Sequence, residues 1–171
     1  MTEPLLGKAL VEEATKKSGL VWVRGPGPER ALWHVWHAGA VYLVGDGPGE
    51  QPLPGLADGS TAEVTVRSKD KGGRLVAWTA AVTELTPRSD DWESAVAELK
   101  GKRLNAPDAE RMTERWAREC RVLRLAPVEG APAITDLPQG SLAAEPLPTD
   151  ATTRGPVPDS LGRQILRRKK R

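Results

Sequence analysis

From Thr61 to Leu85 the chain spells out two strands and the turn between them. TAEVTVRSK alternates, with Ala62, Val64 and Val66 on one face and Glu63, Thr65, Arg67 and Lys69 on the other, and Asp70-Lys71-Gly72-Gly73 then reverses the chain. The returning run puts Val76, Trp78, Ala80 and Val82 on one side and Leu75, Ala77, Thr79 and Ala81 on the other. A strand that is apolar on both sides is covered twice or lines a barrel. No all-helical fold accommodates this pair.

The rest of the chain extends the β pattern. LVWVRG (Leu20 to Gly25) is β-branched and aromatic and ends in the turn GPGPE. RALWHVWH (Arg30 to His37) and AVYLVGD (Ala40 to Asp46) are joined by Ala38-Gly39, the spacing of a tight hairpin. CRVLRLAPV (Cys120 to Val128) reads as a closing strand, which makes six in all. Between Gly47 and Gly59 three prolines and four glycines forbid regular structure, and a loop that long in a compact domain is often functional.

Helices flank the strands. Leu6, Ala9, Leu10 and Ala14 share a helical face in Leu5 to Lys17, and Ser18-Gly19 stops it. Ser89 is a natural N-cap for a helix carrying Trp92, Ala95, Val96 and Leu99 and ending near Gly101. A second is expected after Asn105, with Pro107 in its first turn and Met112 and Trp116 one turn apart.

A chain of 171 residues suits one domain of ordinary size, here Leu5 to Val128. With six tryptophans and no phenylalanine, the large core volumes fall to Trp, and Trp22, Trp33 or Trp36, Trp78, Trp92 and Trp116 are expected to mark the interior. From Glu129 onward prolines are frequent and aromatics absent, so residues 129–171 are expected to be a disordered tail. The tail ends in a basic cluster: Arg163, Arg167, Arg168, Lys169, Lys170 and Arg171 lie in the last nine residues. Setting them aside leaves 19 basic against 23 acidic residues, a body of about −4. A polyanion-binding role for the body is excluded on charge, and contact with nucleic acid or an anionic surface is assigned to the tail alone.

One cysteine, Cys120, cannot form an intramolecular disulfide, and the charged N-terminus lacks the apolar stretch of a signal peptide. No apolar run reaches the roughly 20 residues of a spanning helix. A soluble, cytoplasmic protein is expected.

Few residues combine into chemistry. His34 and His37 form H-x-x-H, but residues three apart in a strand face opposite ways, so no metal site is expected. Gly45, Gly47 and Gly49 imitate a phosphate loop without a helix to receive the phosphate. Cys120 reads as a buried small side chain, and Asp90 and Asp91 as helix-capping charge. Arg67 and Lys69, with Thr65 on the same face and Arg74 across the hairpin, can hold a phosphate or lie on a solvated face beside Glu63. No catalytic residue is identified.

The order of these elements, carried by LVWVRGPGPERALWHVWHAGAVYLVGD, TAEVTVRSKDKGGRLVAWTAAVTEL and DDWESAVAEL, resembles the pyridoxamine 5′-phosphate oxidase-like flavin-binding split-barrel family over about residues 5–128. The resemblance implies a β-rich α+β fold: a six-stranded antiparallel split barrel with short flanking helices, homodimeric, holding FMN or a deazaflavin, with oxidoreductase activity. On that topology Thr65, Arg67, Lys69 and Arg74 are expected at the cofactor phosphate, and Trp36 and Gln51 near its ring. A second reading keeps the barrel and removes the cofactor: a dimeric binding module that engages a protein or nucleic acid through the Gly/Pro loop and the basic tail.

Overall fold

The computed structural model describes residues 3–140, with side chains from residue 6 onward. Its elements run α1 (Glu3–Lys17), β1 (Leu20–Arg24), β2 (Arg30–Trp33), β3 (Val35–His37), β4 (Ala40–Gly45), β5 (Thr61–Arg67), β6 (Arg74–Glu84), α2 (Asp90–Lys102), α3 (Met112–Glu119) and β7 (Arg121–Pro127). All pairings within the sheet are antiparallel, in the order β2-β1-β5-β6-β7-β4-β3.

That order closes the sheet. Its two edges, β2 and β3, are neighbours in sequence and only His34 separates them, so the ribbon must curl until its edges meet at that residue. The result is a split barrel with seven strands where six were expected. The added strand is the Arg30–His37 run cut in two: His34 leaves the ladder and is buried at 2% exposure, where its Nε2 donates to the carbonyl of Thr15 on α1 (3.0 Å). The β3–β4 hairpin turns on Ala38 (φ 45°) and Gly39 (φ 75°), both in the left-handed region that a two-residue hairpin loop demands.

Alternation sorts the residues into two cores. Val21, Val23, Val41, Leu43, Val64, Val66, Val76, Trp78, Val82, Leu123 and Leu125 fill the barrel. Tyr42, Val44 and Val122, on the outer face of β4 and β7, pack instead against Trp92, Val96 and Leu99 of α2 and Trp116 of α3. β4 is therefore buried along its whole length. β6 takes the barrel-lining alternative: its inner residues are buried, while Leu75, Thr79, Ala81 and Thr83 are exposed. Trp78, Trp92 and Trp116 are buried as expected, whereas Trp22, Trp33 and Trp36 are half-buried.

Ser89 caps α2 by accepting the Trp92 N–H (3.2 Å). α3 begins at Met112, later than the expected start near Pro107, because residues 107–111 form turns. Residues 129–139, read from sequence as tail, run back along β6: Ala77 and Ile134 exchange backbone bonds (2.8 Å each), and Gln139 holds the backbone of Arg74 through its N–H (2.9 Å) and C=O (3.0 Å). The basic cluster lies outside the described residues.

Candidate functional site

A cleft of about 970 Å³ with an aromatic lining lies between α1, the β3–β4 hairpin, the end of β7 and residues 129–133. Trp36 and Trp78 line it as an edge-to-face pair, ring centroids 6.3 Å apart and planes at 85°. Gly7, Lys8 and Val11 form the α1 wall. The helix and the opposite wall come close at Gly7, where a β-carbon would make ordinary contact with Ala133 Cβ at 3.4 Å.

Its polar groups are sparse. Arg124 and Lys8 line the cleft, and neither side chain has an ion pair or a hydrogen bond among the described residues. Glu129 also lines it, as does Glu12, whose carboxylate is paired with Lys16. The Trp78 indole Nε1 is buried without an acceptor. A buried donor left unpaired costs about 1–3 kcal/mol, so water or a ligand is the physical expectation beside it. A cleft of this volume, with an apolar floor and a few polar groups, falls in the usual range for small-molecule sites of about 300–1,000 Å³.

The expected cofactor residues divide between three places. Trp36 is in the cleft. Gln51 is not among its lining residues: its amide accepts the Trp33 N–H (2.9 Å) and donates to the carbonyls of Trp33 (2.9 Å) and Val44 (3.3 Å). The other four cluster at one end of the β5–β6 hairpin. Thr65 is buried, Lys69 is exposed beyond the strand, and Arg67 stacks over Trp22 at 4.1 Å, with its Nε buried and unbonded. Arg74 donates to the Pro138 carbonyl (2.6 Å).

The Gly/Pro loop is held by charge. The Glu50 side chain is fully buried; it pairs with Arg103 and Arg115 (3.1 Å each) and accepts the Trp116 indole N–H (3.0 Å). Arg115 also grips Asp108 (2.7 and 3.0 Å), which lowers the Asp108 pKa and raises that of Arg115. Gly47 packs on the C-terminal end of α3 so closely that a β-carbon would sit 2.6 Å from the Glu119 carbonyl oxygen. Burial raises the pKa of the neighbouring Cys120 thiol, which makes it a poor nucleophile.

His34 is likewise structural. Burial lowers its pKa to about 4 against the opposing bond to Thr15, so the ring is neutral and its Nδ1 has no partner. His37 faces α2 and shares a hydrogen bond with the Ser94 hydroxyl (3.0 Å). No group of three His, Cys, Asp or Glu among the described residues is placed to hold a metal ion, and none of their helices is long and apolar enough to cross a membrane.

No family model matches the chain, and no curated protein matches it. Solved structures do. HutZ, the heme storage protein from Vibrio cholerae, is 10% identical over 73% of this chain and 91% of its own, with a TM-score of 0.54. That likeness shows the fold. Two further structures, the flavocytochrome Anf3 from Azotobacter vinelandii and a FAD and heme binding protein from Mycobacterium smegmatis, are each 15% identical with TM-scores of 0.45; they cover 91% and 89% of this chain and 88% and 92% of their own.

Of the residues expected at a cofactor only Trp36 lines the cleft, and Arg124, Lys8 and residues 129–133, which line it too, were not among those expected. Arg124 reads as one more outward strand residue. Only its lack of a counter-ion distinguishes it, and that is invisible without neighbours.

Proposed function

We propose that this chain is a split-barrel protein that binds a flavin or deazaflavin in the α1–β7 cleft and acts as an oxidoreductase. The observation that carries the reading is the indole pair Trp36–Trp78 in the same cleft as the unpaired Arg124. A flat apolar ring with an anionic appendage fits both features: the indoles offer the ring an aromatic contact, and a guanidinium without a counter-ion takes a phosphate by charge-assisted bonds. Bound there, a flavin supplies a ring that accepts and returns electrons. The chain's part is to orient the ring, hold its phosphate and keep water from one face.

Two cation sets compete for the phosphate. Arg67 with Lys69 is the set expected from sequence; Arg124 with Lys8 shares a cleft with the indole pair, and we favour it. Heme, the group that HutZ stores, needs an axial donor. Among the described residues no His, Cys, Met or Tyr lines the cleft, and both histidines of the chain are engaged elsewhere.

We also infer a homodimer. The outer face of β5 and β6 presents exposed Thr61, Leu75, Thr79, Ala81 and Thr83 beside Glu63, whose charge is paired with Arg24, a surface of mostly small side chains suited to a second copy. The same face supports the cofactor-free binding module as a second reading.

Freshly purified protein should be yellow or should quench added FMN fluorescence. Colourless protein that leaves FMN unquenched and does not bind a deazaflavin removes the cofactor reading. Removal of residues 141–171 should leave cofactor binding intact; a salt-sensitive partner lost with that segment favours the module.

A further inference from the structure

β6 is paired on its β7 side in two stretches that do not share a register. Ala80 to Glu84 pair with Pro127 to Leu123, and Val128 N–H continues the ladder to the Thr79 carbonyl (3.0 Å). Ala77 then exchanges both of its bonds with Ile134. Five residues, Glu129 to Ala133, therefore stand opposite Trp78 alone. They cannot fit in the ladder and leave it as a loop, with Gly130 at φ 79°, that forms one wall of the cleft.

The loop changes the hydrogen bonding of one strand residue. In a regular antiparallel pair the two residues exchange both bonds, so the Val128 carbonyl belongs to Thr79 N–H. Here that carbonyl accepts the Ala131 N–H instead (3.3 Å). Thr79 N–H points to the same side as Thr79 C=O, which is the β7 side, and Thr79 itself lines the cleft. A main-chain donor without its ladder partner among the described residues thus belongs to a residue that lines the cleft together with Trp36, Trp78 and Arg124.

We propose that Thr79 N–H is the recognition donor of the cleft, receiving the hydrogen-bond acceptor edge of a planar anionic ligand whose ring contacts Trp36 and Trp78 and whose charge goes to Arg124. The inference rests on the cleft being the ligand site, but not on the ligand being a flavin. The bulge is what makes the donor available: a strand without residues 129–133 would return it to Val128.

Amide exchange followed by NMR on the full chain tests this. In the free protein Thr79 N–H should exchange at least about tenfold faster than Ala77 N–H, the effect of one absent hydrogen bond. Addition of FMN, or of the aromatic sulfonate anilinonaphthalene sulfonate, should slow Thr79 by a similar factor and leave Ala77 unchanged. A variant with Glu129–Ala133 replaced by one valine should protect Thr79 and lose probe binding.

Thr79 exchange as slow as that of Ala77 in the free protein overturns the proposal, and so does a probe panel in which nothing slows Thr79. FMN that binds without slowing Thr79 overturns it and leaves the flavin reading standing. Slowing by the sulfonate alone sustains it and removes the flavin.

Discussion

The side chain of Gln51 pairs with the backbone of Trp33 as a strand residue would, taking its N–H and giving to its C=O at 2.9 Å each. It does so beside the barrel seam, where β2 has run out of partners. Gln51→Ala removes these bonds and the one to Val44, and should cost on the order of 2–3 kcal/mol in urea unfolding. Gln51→Glu should not rescue it, because a carboxylate accepts from Trp33 N–H but cannot donate to the two carbonyls. Equal stability of Gln51→Ala and wild type would show that the seam does not depend on this amide.

Glu50 is a buried carboxylate serving two guanidiniums and an indole. Glu50→Ala leaves Arg103 and Arg115, 20% and 14% exposed, without their shared counter-ion, and a loss of about 3–5 kcal/mol is expected. Glu50→Gln should lose less, since an amide oxygen still accepts from Trp116. Thermal unfolding checks the order, and a shift in Trp116 fluorescence reports the site itself.

His34 sets a pH dependence. Its pKa is lowered on folding from 6.5 to about 4, so between those values the unfolded chain binds the proton that the folded chain refuses. The stability associated with the neutral ring is fully present above the unfolded pKa. It falls as pH drops toward 4, by an amount on the order of 3 kcal/mol. Denaturant unfolding at about pH 4.5 and about pH 7.5 should show this loss in wild type and a smaller one in His34→Phe. An identical pH slope in the two proteins would assign the acid sensitivity elsewhere.

The two cation sets separate by substitution. Arg124→Ala should weaken FMN binding at least about tenfold, the loss of one charge-assisted contact of about 1.5–3 kcal/mol, and Arg67→Ala should leave it within about twofold. The reverse result, read by fluorescence titration, moves the phosphate to the end of β5.

Ala81 lies mid-strand on the outer face of β6. Ala81→Arg should convert the proposed dimer to a monomer in sedimentation velocity without changing the far-UV circular dichroism spectrum. A wild-type protein that already sediments as a monomer removes the dimer.

Much of the barrel was legible because its signals are local. Alternation in Thr61–Arg67, Ala38-Gly39 at a hairpin and Ser89 before an apolar stripe each act within a few residues. The seam was not. Arg30 to His37 reads as one strand, and what divides it comes from afar: the Thr15 carbonyl on His34 and the Gln51 amide on Trp33. The cleft was less legible still, since its wall is a stretch with no period, pinned to β6 by Ile134 and Gln139. In Arg67 and Arg124 the sequence offers two similar outward cations; their neighbours alone make them different.

The meeting of β2 and β3 at His34 also governs how the protein can associate. An open seven-stranded ribbon would present two rows of unpaired backbone groups, each a template for a strand from another molecule. Here the two rows belong to one continuous stretch of chain and face each other across a gap one residue wide in sequence, with a glutamine amide already seated on one of them. A foreign strand would have to evict Gln51 and pry α1 from His34 before it could pair. Self-assembly is thereby steered toward broad faces, where it can stop at two copies, and away from edges, where it can continue without limit.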